Sequence, residues 1–280
     1  MSILEKKMTT NPYTQDRFFR WTVIAFLGTI GFSLVGMLLL YIPPVTAFFA
    51  PVLSWLIKIP TWIYMLLMPI TVWLLYLPHL GLRKSLFFLA WAVFVGTIME
   101  LLGTATGFPF GKYFYTDLLG PKIMDLVPYF IPPAWYAMGL LSFDLATRLG
   151  HTGMQRVLTS SLFMVLWDFS LDPAMSYAQT FWVFPEGGFF FGMPPENWLG
   201  WFVSALIIML GFEYLGRGIH PTLTPWVPRL WFLNAAFPFL VSLVSLKIAA
   251  FWFGLFASIL PLLAVWAYEH SSTLKEPDIS

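Results

Sequence analysis

The chain has 280 residues, of which 59% are apolar and only 10% charged, with 14 Trp and 29 Phe. A soluble domain carries about 25% charged residues, so the composition excludes a soluble protein and specifies an integral membrane one. A net charge of +1 gives no reason to expect a nucleic-acid partner, and the absence of cysteine removes disulfides, thiol nucleophiles, iron–sulfur clusters and thiolate metal sites.

Residues 1–20 are polar and mixed in charge and read as a cytoplasmic tail rather than a signal peptide; the apolar run starts at Trp21. Residues 21–268 read as a single transmembrane domain. Its fold class is an all-α polytopic bundle of about eight spans, or seven if the last two are one. The spans fall at roughly 21–42, 61–78, 85–102, 127–147, 156–172, 198–215, 229–246 and 249–267, each near the ~20 residues a crossing helix needs. Segment 47–57, ahead of Lys58 and Pro60, reads as a short interfacial or re-entrant piece. Only Lys247 divides the last pair of spans, and residues 269–280 form a polar C-terminal tail.

Cations set the orientation. With the N-terminus in the cytoplasm, only Lys58, Lys112, Lys122 and Lys247 of the 15 Lys and Arg fall on the far side. This bias supports an even number of spans in a multi-pass protein of a cytoplasmic or thylakoid membrane. It also places two long connections, 103–126 and 173–197, on the same non-cytoplasmic face. Loops of this length in a compact protein are functional or disordered. These are too aromatic for disorder, so a folded cap over the membrane surface is expected.

Acids in or beside spans are costly and mark function by default. Asp144 has Arg148 four residues on, and Glu213 has Arg217 four residues on. Both pairs have the acid N-terminal to the base, the favourable i,i+4 order, and read as helix-end anchors. Glu100, Asp168 and Asp172 have no cation three or four residues away. Asp168 and Asp172 share one helix face, and Pro173 follows. Three carboxyl groups therefore meet at one membrane face without local counter-ions, where one that keeps its proton can act as a general acid. Capping of backbone amides, pairing with Lys112 and Lys122, and a cation-transport site are the other readings of the same acids.

The loop GTATGFPFGKYFY follows Glu100 directly. Its glycines suit tight turns, and Phe108, Phe110, Tyr113 and Tyr115 suit an interfacial belt. It lacks the GK[ST] ending of a phosphate loop. His79, His151, His220 and His270 stand singly, with no HxxxH or HxxHH box, so neither metal-dependent oxidation nor any cofactor is expected.

An acid, aromatic faces and a lipid-facing site suit proton addition to an apolar alkene. The tertiary carbocation so formed is stabilised by Trp and Tyr faces, and a carboxylate deprotonates the attacking water. A second enzyme reading takes DFSLD as half of a magnesium site for a prenyl diphosphate in an intramembrane prenyltransferase, but no second Asp-rich motif is present. A non-enzymatic lipid or isoprenoid transporter would show inverted repeats or matched broken helices, and the sequence shows neither.

ELLGTATGFPFGKYFY with LVPYFIPPAW, then LWDFSLDPAMS, then FFFGMPPENWLGW, resembles the carotenoid 1,2-hydratase family (CruF type). That family includes γ-carotene 1′-hydratases and archaeal bisanhydrobacterioruberin hydratases. The matching blocks cover roughly 99–201. The resemblance implies a membrane enzyme that adds water across the terminal 1′,2′ double bond of an acyclic ψ-end carotenoid such as γ-carotene or lycopene. The product is a tertiary 1′-hydroxy carotenoid, often used next by a separate glycosyltransferase. Pro121 and Asp125 in LLGPKIMDLVP depart from the expected pattern and put the local shape of that loop in question.

Residue roles follow from the residues themselves rather than from the family. Asp168 or Asp172 is expected to donate the proton and Glu100 to orient and deprotonate water, with the reverse assignment open. Tyr113, Tyr115, Trp135 and Trp167 are expected to flank the cation. Asn197 either caps its helix or holds the water. Lys112 is placed beside a carboxylate, and Trp198 and Trp201 read as belt residues.

Overall fold

The computed structural model describes residues 17–273, so residues 1–16 of the N-terminal tail and 274–280 of the C-terminal one lie outside the described residues. Helix α1 (Arg17–Leu39) is followed by the short α2 (Pro43–Phe49), one 3-10 turn, and the 54-residue α3 (Leu53–Thr106). The piece read over 47–57 is thus divided between the end of α2 and the start of α3. Gly81 breaks α3 with φ 70 and ψ 163, three residues after Pro78. Only glycine adopts that backbone readily. The break turns α3 into two halves that match the second and third apolar runs of the sequence.

Helix α4 (Ile131–Arg148) begins at Pro132 and Pro133, where the missing N–H groups cost nothing. Pro128 and Val127 before it pair in a strand instead of extending the helix. A short turn leads to α5 (Gly153–Asp172), which widens into a π-turn over Pro173–Ala178. Helix α6 (Glu196–Leu210) also ends in a π-turn, Gly211–Leu215. Helices α7 (Trp226–Val244) and α8 (Ile248–Thr273) are separate, with Lys247 in the turn between them.

The result is an all-α membrane bundle. Among the described residues, five helical stretches are long and apolar enough to cross a membrane, and one of them, Pro43–Thr106, is 64 residues long. Helices α4 and α5 are not among the five. They lie inside the bundle, where α4 buries every residue except Pro133. The π-turn after α6 shifts the side-chain register, so Glu213 does not meet Arg217, whose φ is 58. It pairs instead with Arg156 on α5 and accepts from the Gly153 N–H at 2.8 Å. Asp144 and Arg148 do pair as read, at 3.3 Å, and Tyr76 and Thr222 also donate to Asp144.

The two long connections meet at one end of the bundle. Strand β1 (Phe114–Tyr115) pairs antiparallel with β4 (Trp182–Val183), Phe114 opposite Val183 and Tyr115 opposite Trp182. Strands β2 (Lys122–Ile123) and β3 (Val127–Pro128) form a small hairpin. Met124 and Asp125 turn it with φ of 51 and 60, which gives Asp125 a defined place in that loop, since Asp tolerates the left-handed region better than most residues.

Candidate functional site

Glu100 lies on α3 nearly two turns before its end at Thr106 and is 4% exposed. Gly96 and Gly103, four residues before it and three after, clear its surroundings. A Cβ at Gly96 would stand 2.9 Å from the Trp135 ring, and one at Gly103 would stand 2.9 Å from the Tyr113 hydroxyl. The space so made is filled by three donors. Tyr113 and Tyr115 donate to Glu100 Oε2 at 2.6 and 2.8 Å, and Trp135 Nε1 donates to Oε1 at 3.0 Å. Burial first, and the Glu100 charge second, push both tyrosine hydroxyls well above the ordinary range, so they stay protonated and donating.

Asp172 closes α5 and receives Trp182 Nε1 on Oδ1 at 2.8 Å and Asn197 Nδ2 on Oδ2. The same Asn197 nitrogen lies 3.2 Å from Asp168 Oδ2 and 2.9 Å from Met193 Sδ. Asp168 is fully buried, within hydrogen-bonding reach of Asp172, and its Oδ1 has no hydrogen-bond partner among the described residues.

A cavity of about 550 Å³ joins these groups. Glu100, Asp172 and Asn197 stand on its wall with Trp135, Trp167 and Trp201, whereas Asp168 lies off the wall. Trp201 is held between the other two indoles, with centroids 4.4 Å from Trp135 and 5.6 Å from Trp167. Trp167 is anchored by its Nε1, which donates to the Asn234 carbonyl at 3.3 Å. The rest of the lining is mostly apolar and, among the described residues, contains no lysine or arginine.

Several sequence expectations change here. Lys112 does not approach the buried acids; it pairs with Glu186 at 2.7 Å, both side chains exposed, and that carboxylate raises its pKa. Lys122 pairs with Asp117 and donates to the Tyr115 carbonyl at 2.7 Å, supporting β1. Asn197 does not cap α6, where Pro195 holds the cap position without a side-chain bond; its amide faces the aspartates. Trp201 belongs to the cavity wall rather than to an interfacial belt. Trp182, the donor to Asp172, has no signal in the sequence beyond being one aromatic of a long loop.

The family model described as "Carotenoid biosynthesis protein" matches residues 60–265. The chain belongs to this carotenoid biosynthesis family. All the site residues named above lie within the matched span. A curated relative, bisanhydrobacterioruberin hydratase of Haloarcula japonica, is 32% identical over 120 residues, which is 41% of this chain and 40% of that protein. No solved structure matches.

Proposed function

We propose that this enzyme of carotenoid biosynthesis hydrates the terminal 1′,2′ double bond of an acyclic ψ-end carotenoid. The observation that carries the reading is that Glu100 and Asp172 face one aromatic cavity, each with its own donors. The family and the hydratase relative support a carotenoid as substrate.

Asp172 is on the wall and touches the alkene, so it delivers the proton to C2′. Asp168, behind it and close enough to share a proton, is the group that replaces it. The positive charge appears on the tertiary C1′, against the faces of Trp135, Trp167 and Trp201, where indoles favour a cation. Glu100, held by three donors, takes a proton from water as the water oxygen bonds to C1′. One C–H bond and one C–O bond form, one π bond breaks, and one water is consumed for each converted end. The proton gained by Glu100 equals the one lost by the aspartates; the site resets when Glu100 releases its proton to water and the aspartate pair takes one up, and neither oxidant nor reductant is needed. Transfer from a prenyl diphosphate is less well supported, because among the described residues the wall has no lysine or arginine to meet the diphosphate.

We place the N-terminus in the cytoplasm on the cation bias, and the site at the opposite membrane face. The test is the mass of the carotenoids formed on co-expression with a lycopene or γ-carotene pathway, without oxygen and in oxygen-18 water. One labelled hydroxyl per converted end is expected. An unchanged carotenoid pool beside folded protein would overturn the proposal.

A further inference from the structure

The cavity has two kinds of wall. The acids and indoles stand against the core, but the opposite wall is a strap formed by the end of α1, all of α2 and the start of α3. From Gly31 to Ile59 no residue is buried. Phe32, Val35, Leu39, Tyr41, Phe49 and Leu56 line the cavity and are at the same time 36–56% exposed on the outside. The wall there is one side chain thick.

The strap is apolar, with Ser33, Thr46, Ser54 and Lys58 as its polar members. Its outer surface suits hydrocarbon rather than water. Apart from bonds within α1, α2, α3 and the turns that join them, its one hydrogen bond among the described residues runs from the Tyr41 hydroxyl to the Val244 carbonyl at the end of α7, 2.8 Å. Few buried contacts and few hydrogen bonds are what give a segment a low free energy of opening.

A forty-carbon polyene, extended, is roughly as long as the ~30 Å hydrocarbon core of a bilayer. About 550 Å³ is the size of a site for a drug-like ligand, so the cavity takes one end of such a chain and the remainder must leave through a wall. The core-side wall is closed by α4 and α5. We propose that the strap Gly31–Ile59 is the lateral portal of the site: a polyene enters from the bilayer beneath it, and the unreacted part of the chain stays bound along its inner side while the end reacts. This rests on the hydration reading for the identity of the ligand and extends it to the route of entry.

The experiment uses full-length protein in lipid nanodiscs, with lycopene as the probe. Hydrogen exchange is followed by peptide, and hydration is scored separately on the same sample. Exchange over 31–59 that lycopene slows at least tenfold, together with slowing near Glu100 and Asp172, is the expected result. Slowing near the acids without slowing over 31–59, or slowing nowhere, overturns the portal. Failure of hydration with protection of 31–59 intact would instead count against the reaction and leave the portal standing.

A second measurement exploits the absence of native cysteine. Tyr41→Cys with Ser245→Cys is joined by a flexible thiol-reactive linker that a reductant can cleave. Turnover should fall at least tenfold on linking and return on cleavage. Unchanged turnover, with the link verified by mass, overturns the proposal.

Discussion

Tyr115 and Trp182 are cross-strand partners, and each gives its side-chain hydrogen to a different carboxyl group. Tyr115 donates to Glu100 and Trp182 to Asp172, each at 2.8 Å. Their rings meet edge to face at 5.9 Å. One two-residue strand pair, built from loops that are distant in sequence, thus fixes the spacing of the two carboxyl groups on the cavity wall.

Asp172→Asn and Glu100→Gln should each reduce hydration by roughly 10²–10⁴, the range for loss of an acid or base, with the protein still folded in the membrane. Asp168→Asn should do the same by removing the proton behind Asp172. Product formation per folded molecule is the readout. Full activity in both aspartate variants would end the idea of a working pair.

Trp182→Phe keeps most of the ring and deletes the donor to Asp172. Hydrogen bonds to charged groups contribute about 1.5–3 kcal/mol, so turnover should drop about 10- to 100-fold with substrate affinity nearly unchanged. A fall in affinity alone would assign Trp182 to substrate contact instead.

Gly200→Ala should act through packing, since the added methyl would run into the Phe110 ring that lies against Tyr113. Overpacking of this kind costs about 1–3 kcal/mol. The variant should unfold earlier than the wild type in a thermal or denaturant series, and equal stability would show that Phe110 can yield.

Glu213→Gln leaves Arg156 buried without its carboxylate, a loss of about 3–5 kcal/mol for a buried pair, while activity per folded molecule is kept. Arg217→Ala should change stability by under about 0.5 kcal/mol, as surface substitutions do. A large effect at Arg217 and none at Glu213 would contradict the pairing described here.

Tyr113 and Tyr115 have hydroxyls raised well above the ordinary value of 10.0. A raised folded-state value gives stability that is complete below the unfolded value and is lost as pH climbs toward the folded one. The protein should therefore lose stability above about pH 10. Spectroscopic titration should find these two phenols still protonated above the ordinary tyrosine range; their ionisation within that range would refute the burial argument.

Much of this arrangement was legible in the chain. The apolar runs locate the helices because a bilayer demands them, and the three site acids stand out because no cation lies one turn away. Gly96 and Gly103 were visible as the neighbours of Glu100, but only the fold shows that their missing side chains are replaced by Trp135, Tyr113 and Phe110. Trp182 was hidden because a π-turn returns the chain to Asp172 ten residues later, a spacing that no helix period predicts. Another π-turn misdirected the Glu213 pairing, which assumed an unbroken i,i+4 register. Trp201 was misjudged because tryptophans near helix ends commonly mark the interface, and its burial depends on two indoles from other helices.

Helices α4 and α5 carry Asp144, Arg148, Arg156, Asp168 and Asp172 at buried positions, and neither is among the stretches apolar enough to cross by itself. Beyond the Asp144–Arg148 pair inside α4 and the Tyr76 donor on α3, many of their partners, among them Asn197, Glu213, Thr222, Thr224 and Asn234, lie later in the chain. The charged groups of α4 and α5 therefore gain many of their partners only from segments made after them, so the later part of the chain completes a polar interior that the earlier part begins.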